Sequence, residues 1–239
     1  MDSTDATTVD TRVQLEVWSD IACPWCYVGR RNLGVALADI EEHERPDVHW
    51  RAFQLDPTVP AEGVDSDTYF AARFGADLSR FEESRERLTA MGEELGIDFR
   101  WDRQRVVPNT HLAHRVLAAA EAHGEREPLL DVFFNAYFER GIDIGSVDAL
   151  RELVVEHLVD EDLADLLMTA AIEDERMTRR VDEDIATARR LNITGVPCFV
   201  ADRAIAVPGA VPAPVLAQLL AEAVTRREDA EDLGDEDEA

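Results

Sequence analysis

The sequence predicts an α/β protein in which a β-α-β unit and a β-β-α unit are separated by one long helical insertion. Three observations predict it. A period-two run at residues 13–18 is followed by a helical segment and a second strand-like run at 48–55. From about residue 66 to 191 apolar side chains recur at helical spacing almost throughout. After Gly195 strand character returns, and one amphipathic segment follows it.

Residues 13–18 read V-Q-L-E-V-W, the alternation of a half-buried strand. Asp20 is placed to cap the next helix, whose Leu33, Ala36, Leu37 and Ile40 share one face, and Pro46 stops it. Residues 48–55 (V-H-W-R-A-F-Q-L) form the second strand, and a strand-helix-strand unit this short builds a parallel pair. Residues 56–63 are a loop. In the insertion, Leu130, Phe133, Phe134, Tyr137 and Phe138 repeat at three-four spacing. So do Leu150, Leu153, Val154, His157 and Leu158, and then Leu163, Leu166, Leu167 and Ala170. These stripes read as core and hold no cofactor box. Breaks at 96–98, 107–108 and 141–146 divide the helices. Strands at 196–200 and 204–207 flank a turn at Asp202 and Arg203. Gly209 and Pro212 then lead into a helix with Leu216, Leu219, Leu220 and Ala223 inward. The expected organisation is a first domain part at 13–62, a helical insertion at 63–180, a second domain part at 181–227 and an acidic, disordered tail at 228–239.

A chain of 239 residues with 46% hydrophobic and 31% charged residues can bury a core without staples. No apolar run approaches the roughly 20 residues that span a bilayer. The first twelve residues lack a basic start and an apolar stretch, so no secretory signal is read and a cytoplasmic location is expected. There are 51 acids against 24 bases, a net charge of −27, and every base is Arg. Phosphates would be repelled, which excludes nucleic acid as a partner. Eight acids fall in the last twelve residues, but 43 remain in the other 227, so the excess covers the folded surface. Dispersed acid without Lys is the pattern of a protein adapted to a high-salt cytoplasm, where salt screens self-repulsion.

Of three cysteines, Cys23 and Cys26 form C-P-W-C at the junction of the first strand and first helix. An odd count in a cytosolic chain speaks against a disulfide framework. A thiol at a helix N-terminus faces unpaired N–H groups and the positive end of the dipole, both of which favour thiolate. Pro24 suits the first turn, where its missing N–H costs nothing. Cys23 is then the attacking sulfur and Cys26 the buried resolving one. A zinc site would need two more ligands; Cys198 and the pair His111 and His114 are the available ones, and no metal is expected. In T-G-V-P at 194–197, Pro197 opens a strand, so it marks an edge or a cis bond that frees the preceding backbone to pair with an extended substrate.

Together these features resemble the DsbA-like branch of the thioredoxin fold, and more closely the FrnE-like cytoplasmic dithiol oxidoreductases. The likeness rests on W-S-D-I-A-C-P-W-C-Y-V-G-R-R at 18–31, F-Q-L-D-P at 53–57, N-T-H-L-A-H-R at 109–115, G-V-P-C-F-V at 195–200 and V-P-G-A at 207–210. It spans about residues 13–225. It implies a thioredoxin fold (βαβ–ββα) with a large all-helical insertion. It also implies Cys23 as nucleophile, Cys26 as resolver, and Pro197 as a cis-proline facing them. Pro24, Trp25, Val196 and Pro197 would meet the substrate, Val196 through its backbone. Asn109 and His114 would lie near the active-site face; their plainer reading is a helix cap, from Asn109 or Thr110, and a packed polar histidine. Asp20 either tunes the proton balance of Cys26 or caps the helix. Cys198 stands where relatives often carry an aromatic or aliphatic residue, and either fills core space or pairs with Cys23. The second cysteine pair of some relatives is missing.

The function implied is exchange of disulfides with protein or small-molecule thiols through the dithiol, with no further cofactor and with glutathione a candidate substrate. Two other readings are open. Glutathione-dependent 2-hydroxychromene-2-carboxylate isomerases resemble this fold, but typically have Ser at the position of Cys23. A thiol-bearing chaperone or binding module would use the groove between the subdomains. The charge pattern itself yields an expectation: dialysis from molar to low salt lowers the melting temperature. A melting temperature indifferent to salt refutes the high-salt reading.

Overall fold

The computed structural model describes residues 12–75 and 79–237. A four-stranded sheet is ordered β2-β1-β5-β6. Strand β1 (Gln14–Ser19) runs parallel to β2 (Asp47–Ala52), with Gln14 opposite Asp47 and Ser19 opposite Ala52. On its other side β1 pairs antiparallel with β5 (Cys198–Ala201), which forms a hairpin with β6 (Ile205–Pro208). Helix α1 (Pro24–Leu37) makes the crossover between β1 and β2, and α9 (Ala213–Asp237) follows the hairpin. This is the expected βαβ–ββα order.

Alternation along the strands sorts side chains onto two faces. Leu15 and Val17 of β1 and Phe199 and Ala201 of β5 join the main core with Val28 and Leu33 of α1 and Leu216, Leu219 and Leu220 of α9. Trp18, Cys198 and Val200 point the other way, against Ala188 of α8 (Glu175–Arg190). Glu16 also faces that side, where burial would raise its pKa; hydrogen bonds from Arg203 and Arg51 outweigh burial and hold the carboxyl below its usual range. Asp184 of α8 accepts the backbone N–H of Ala52 at 3.1 Å and lies 3.4 Å from the Arg51 guanidinium. The helix is thereby stitched to the end of β2.

Between β2 and β5 lie β3 (Val64–Asp65), α2 (Ser66–Phe74), α3 (Ser79–Leu95), β4 (Val106–Val107), α4 (His111–Ala120), α5 (Arg126–Asn135), α6 (Val147–Leu158), α7 (Glu161–Glu173) and α8. The aromatic stripe is core as expected: Phe133, Phe134, Tyr137 and Phe138 are all buried. Its second half is a π-helical turn, Ala136–Arg140. The Tyr27 ring stacks on Phe134 with centroids 5.0 Å apart, and its hydroxyl donates to Glu139 at 2.6 Å. Burial first, then that carboxylate, pushes the phenol up to about 12. One residue beyond Cys26, Tyr27 thus ties α1 to the insertion.

Several expectations need correction. The insertion is helical except for β3 and β4, which pair antiparallel where a simple break at 107–108 was expected. The proposed boundary at 180 falls inside α8, because one continuous apolar face, from Met177 through Val181 and Ile185 to Ala188, spans it. Asp20 does not cap α1: Cys23 occupies the N-cap position after a turn closed by Cys23 N–H to the Asp20 carbonyl at 3.0 Å. Helix α1 ends at Leu37, well before Pro46, in a turn closed by bonds from Ala38 to Val35 and Ile40 to Leu37. Strand β2 stops at Ala52, short of residue 55, because the Leu55 N–H is drawn to the Asp20 carboxylate at 2.7 Å. Helix α9 continues to Asp237, through the segment expected to be a disordered tail; its Ala, Glu and Asp residues offer only Gly234 as a breaker.

Among the described residues no helix is long and apolar enough to cross a membrane. For the Asp184 stitch, Asp184→Ala leaves the Ala52 N–H buried and unpaired. Urea unfolding should show a loss of about 1–3 kcal/mol; a loss within error of zero would show that the bond contributes nothing.

Candidate active site

The site is assembled where the loop after β1, the start of α1 and the loop before β5 converge. Pro24 at the first helical position leaves Cys23 at the N-cap in extended conformation, and the carbonyl of Cys23 accepts from the Cys26 and Tyr27 N–H groups at 3.0 and 3.3 Å. The second sulfur therefore returns beside the first. Cys23 and Cys26 are 3% and 1% exposed, and both sulfurs are unbonded. Cys26 has its thiol pushed far up, first by burial and then by the hydrogen bond and charge of the neighbouring Cys23 sulfur. Donors from the Ser19 hydroxyl and the Asp20 backbone N–H act in the opposite direction.

The Val196–Pro197 bond is cis. The Cys23 thiol donates to the Val196 carbonyl oxygen at 3.6 Å, so the sulfur and the backbone before Pro197 face each other. The approach of the two segments is set at Gly29, one turn further along α1. A Cβ there would lie 2.8 Å from Pro197 Cγ and 3.4 Å from Phe199 Cζ. Only a residue without a side chain lets the helix sit this close.

Cys23 opens into a cavity of about 350 Å³ between the sheet domain and the insertion. Asp20, Pro24, Trp25 and Val196 line it on the sulfur side. Phe70, Phe81, Arg85 and Trp101 line it on the insertion side, together with Gln104 and Tyr137. Arg87 stacks over the Trp25 ring at 5.4 Å.

The other predicted residues divide into two groups. His114 lies behind the cavity, 4% exposed, with Nε2 3.0 Å from the Phe53 carbonyl and 3.5 Å from Asp20 Oδ1. A ring nitrogen facing a carbonyl donates to it, so His114 Nε2 carries a proton. Asp20 also accepts from Ala22 N–H at 3.3 Å and Leu55 N–H at 2.7 Å, which joins the Cys23 loop to the end of β2. Asn109 stands outside the cavity. Its amide donates to the Val59 carbonyl at 2.7 Å, and its side-chain oxygen accepts the His111 N–H at 3.0 Å. Asn109 therefore closes the start of α4 while Thr110, at the N-cap position, makes no side-chain capping bond. His111 turns to Asp182 at 3.0 Å, away from His114. Cys198 packs with Trp18 and Ala188 on the α8 face of the sheet, whereas Cys23 and Cys26 belong to the main core; burial raises its pKa.

Sequence reasoning did not find Arg85 or Gln104, nor the aromatic wall around them. Phe81 and Arg85 stand one helical turn apart, a spacing that could have suggested a ring-cation contact. Gln104 carried no signal at all.

A cysteine pair at a strand-helix junction, faced by a cis-proline loop on a βαβ–ββα sheet, defines a thioredoxin-type domain. Residues 14–221 match the DSBA-like thioredoxin domain, and the chain belongs to that family. It is similar to the uncharacterized protein YwbO of Bacillus subtilis, 26% identical over 200 residues, covering 83% of this chain and 90% of that one. Among solved structures it is similar to a probable DsbA oxidoreductase from Streptomyces coelicolor, at 33% identity and TM-score 0.77, covering 88% of this chain and 89% of that one. A 2-hydroxychromene-2-carboxylate isomerase shares the fold at 17% identity and TM-score 0.63, covering 91% and 98%.

The close approach at Gly29 is testable. Gly29→Ala forces α1 and the Pro197 loop apart, with an expected cost of about 1–3 kcal/mol in thermal stability. The rate at which a neutral alkylating agent modifies Cys23 should change with it. Wild-type values for both would mean that the contact does not position the site.

Proposed function

We propose that this protein is a thiol–disulfide oxidoreductase that exchanges disulfides with thiol substrates through Cys23 and Cys26. The observation that carries the reading is the pairing of an N-cap sulfur, Cys23, with a deeply buried and protonated neighbour, Cys26, opposite the Val196 carbonyl. The Cys23 thiolate attacks a substrate disulfide, the leaving sulfur departs, and a mixed disulfide forms. Cys26 then attacks Cys23 and releases the second substrate thiol, leaving an internal disulfide. Two electrons pass to the substrate, and the reverse sequence oxidises a substrate dithiol.

The causes acting on Cys26 supply an order of events. Burial and the charge on Cys23 both hold its proton in place while Cys23 is free. Once Cys23 is tied up in a mixed disulfide its charge is gone, and only burial still opposes ionisation. The Ser19 hydroxyl and the Asp20 N–H then favour the resolving thiolate. Asp20, 3.5 Å from His114, is a positioning residue for this loop, and we assign it a part in the proton balance of Cys26 through its backbone N–H.

The proposal extends to a FrnE-like role in the cytoplasm of an organism that keeps high internal salt, supported by the lysine-free acidic composition. Protein thiols and small thiols such as glutathione are candidate substrates, and the dithiol needs no further cofactor. The isomerase alternative is weakened by Cys26, which that chemistry does not require.

Equilibrium against a glutathione series, followed by the fluorescence of Trp25, should give one two-electron transition. Cys23→Ser should abolish it, and Cys26→Ser should accumulate the mixed disulfide in a mass spectrum. The release step should quicken about tenfold per pH unit through neutrality, since the raised pKa leaves little Cys26 thiolate there. Activity that survives Cys23→Ser would falsify the dithiol mechanism and favour the isomerase. Substrate retention by a protein lacking both thiols, with no transition in the wild type, would favour the binding module.

A further inference from the structure

The cavity beside Cys23 contains hydrogen-bond donors that the protein itself leaves unused. Arg85 reaches into it from α3, with its guanidinium carbon 4.2 Å from the Phe81 ring centroid, 5.2 Å from Trp101 and 5.5 Å from Phe70. Its Nε is buried with no hydrogen-bond partner. Asp67 and Glu82 sense its charge, but no ion pair among the described residues includes it. Gln104 is 8% exposed, and its buried Nε2 also lacks a partner. Both side chains line the cavity that Cys23 opens into.

The remaining charges of the cavity are accounted for. Asp56 accepts from Thr58 N–H at 3.0 Å and Tyr69 hydroxyl at 2.9 Å, and Arg73 lies 3.8 Å from it. Asp20 accepts from Leu55 and Ala22 and meets His114. Arg85 and Gln104 are left over. An unneutralised guanidinium inside an aromatic box is a costly arrangement, because its N–H groups have lost water. The rings compensate the faces of the cation, but they cannot satisfy its N–H edges. Those edges form a fork that fits a carboxylate. Desolvation already pulls the Arg85 pKa below its ordinary value, which an anion would reverse.

We propose that Arg85 and Gln104 form an anion subsite of the exchange site, selecting small disulfides or thiols that carry a carboxylate on an aromatic or apolar body. The inference rests on the dithiol function proposed above and names its substrate class. A cavity of about 350 Å³ lies at the small-ligand end of binding sites, which run from roughly 300 to 1,000 Å³. The anion seats on Arg85 and Gln104, the ring lies against Phe70, Phe81 and Trp101, and the sulfur is presented to Cys23. The Cys23 thiolate then breaks the substrate S–S bond, forms Cys23–S–S–R and expels one thiolate. Attack by Cys26 forms the internal disulfide and expels the second. The two electrons come from the dithiol, and the thiol protons pass to solvent.

Two aromatic disulfides test this: dithiobis(nitrobenzoate), with a carboxylate on each ring, and dithiodipyridine, with none. Stopped-flow rate constants are measured for the reduced protein at a salt concentration that maintains the fold. Arg85→Met and Gln104→Leu should each slow the anionic probe about tenfold or more, the loss expected when a hydrogen bond to a charged group is removed. The neutral probe should change less than about twofold. In the wild type, nitrobenzoate without sulfur should compete against dithiodipyridine with saturation, a measurement that needs no variant. Equal loss for both probes, no loss for the anionic one, or no competition overturns the subsite while leaving the dithiol function standing. Failure of the wild type to react with either probe overturns both.

Discussion

The arrangement depends on how closely α1 approaches the loop before β5. At Gly29 the helix backbone meets the Pro197 ring at a distance that no Cβ would permit. That contact sets the gap across which the Cys23 sulfur faces the Val196 carbonyl. Two residues earlier on the same helix, Tyr27 clamps its far side, stacked on Phe134 and bonded to Glu139. A helix fixed from both sides cannot drift, so the N-cap position of Cys23 is held by packing and not by a capping side chain. None is present at that end of α1.

A second tie works beside the first. The carboxylate of Asp20 takes N–H groups from the Cys23 loop and from the segment after β2, and it lies beside His114 of the insertion. Burying an acid costs several kcal/mol unless its lone pairs are used, and here three parts of the chain use them. The sheet, the reactive loop and the insertion therefore meet at one carboxylate.

Much of this was legible in the sequence, for identifiable reasons. The period-two run that became β1 and the C-P-W-C that begins α1 are local signals, and so is the proline that precedes β5. Each acts within a few residues of itself. The aromatic stripe through Phe138 was equally clear, because burial on one helical face imposes its own spacing. What escaped was set by distant partners. Residue 55 leaves the strand because of Asp20, and Asp20 is not the cap because the chain makes a further turn before Cys23 takes the N-cap position. The strand pair β3 and β4 joins residues some forty positions apart and is two residues long on each side, too short for any periodicity to register. Gly29 looked like one more glycine until its neighbour across the fold was known. Cys198, conspicuous in the sequence beside Pro197, lies on the opposite face of the sheet because alternation along β5 sends it there.

The walls of the cavity come from separate stretches of chain. Residues 20–25 and 195–196 supply the sulfur and the backbone that faces it, while the aromatic side is supplied by residues 69–107 and by Tyr137 and Phe138. In the exchange reaction proposed above, reactivity and preference are thus written in different places. Change in α2, α3 or the following loop can redraw what is admitted without touching the atoms that react. A lineage could keep one chemical engine for a very long time and still diversify its diet, and the sequence record of such a history would be a quiet strip around the cysteines beside a restless one in the insertion.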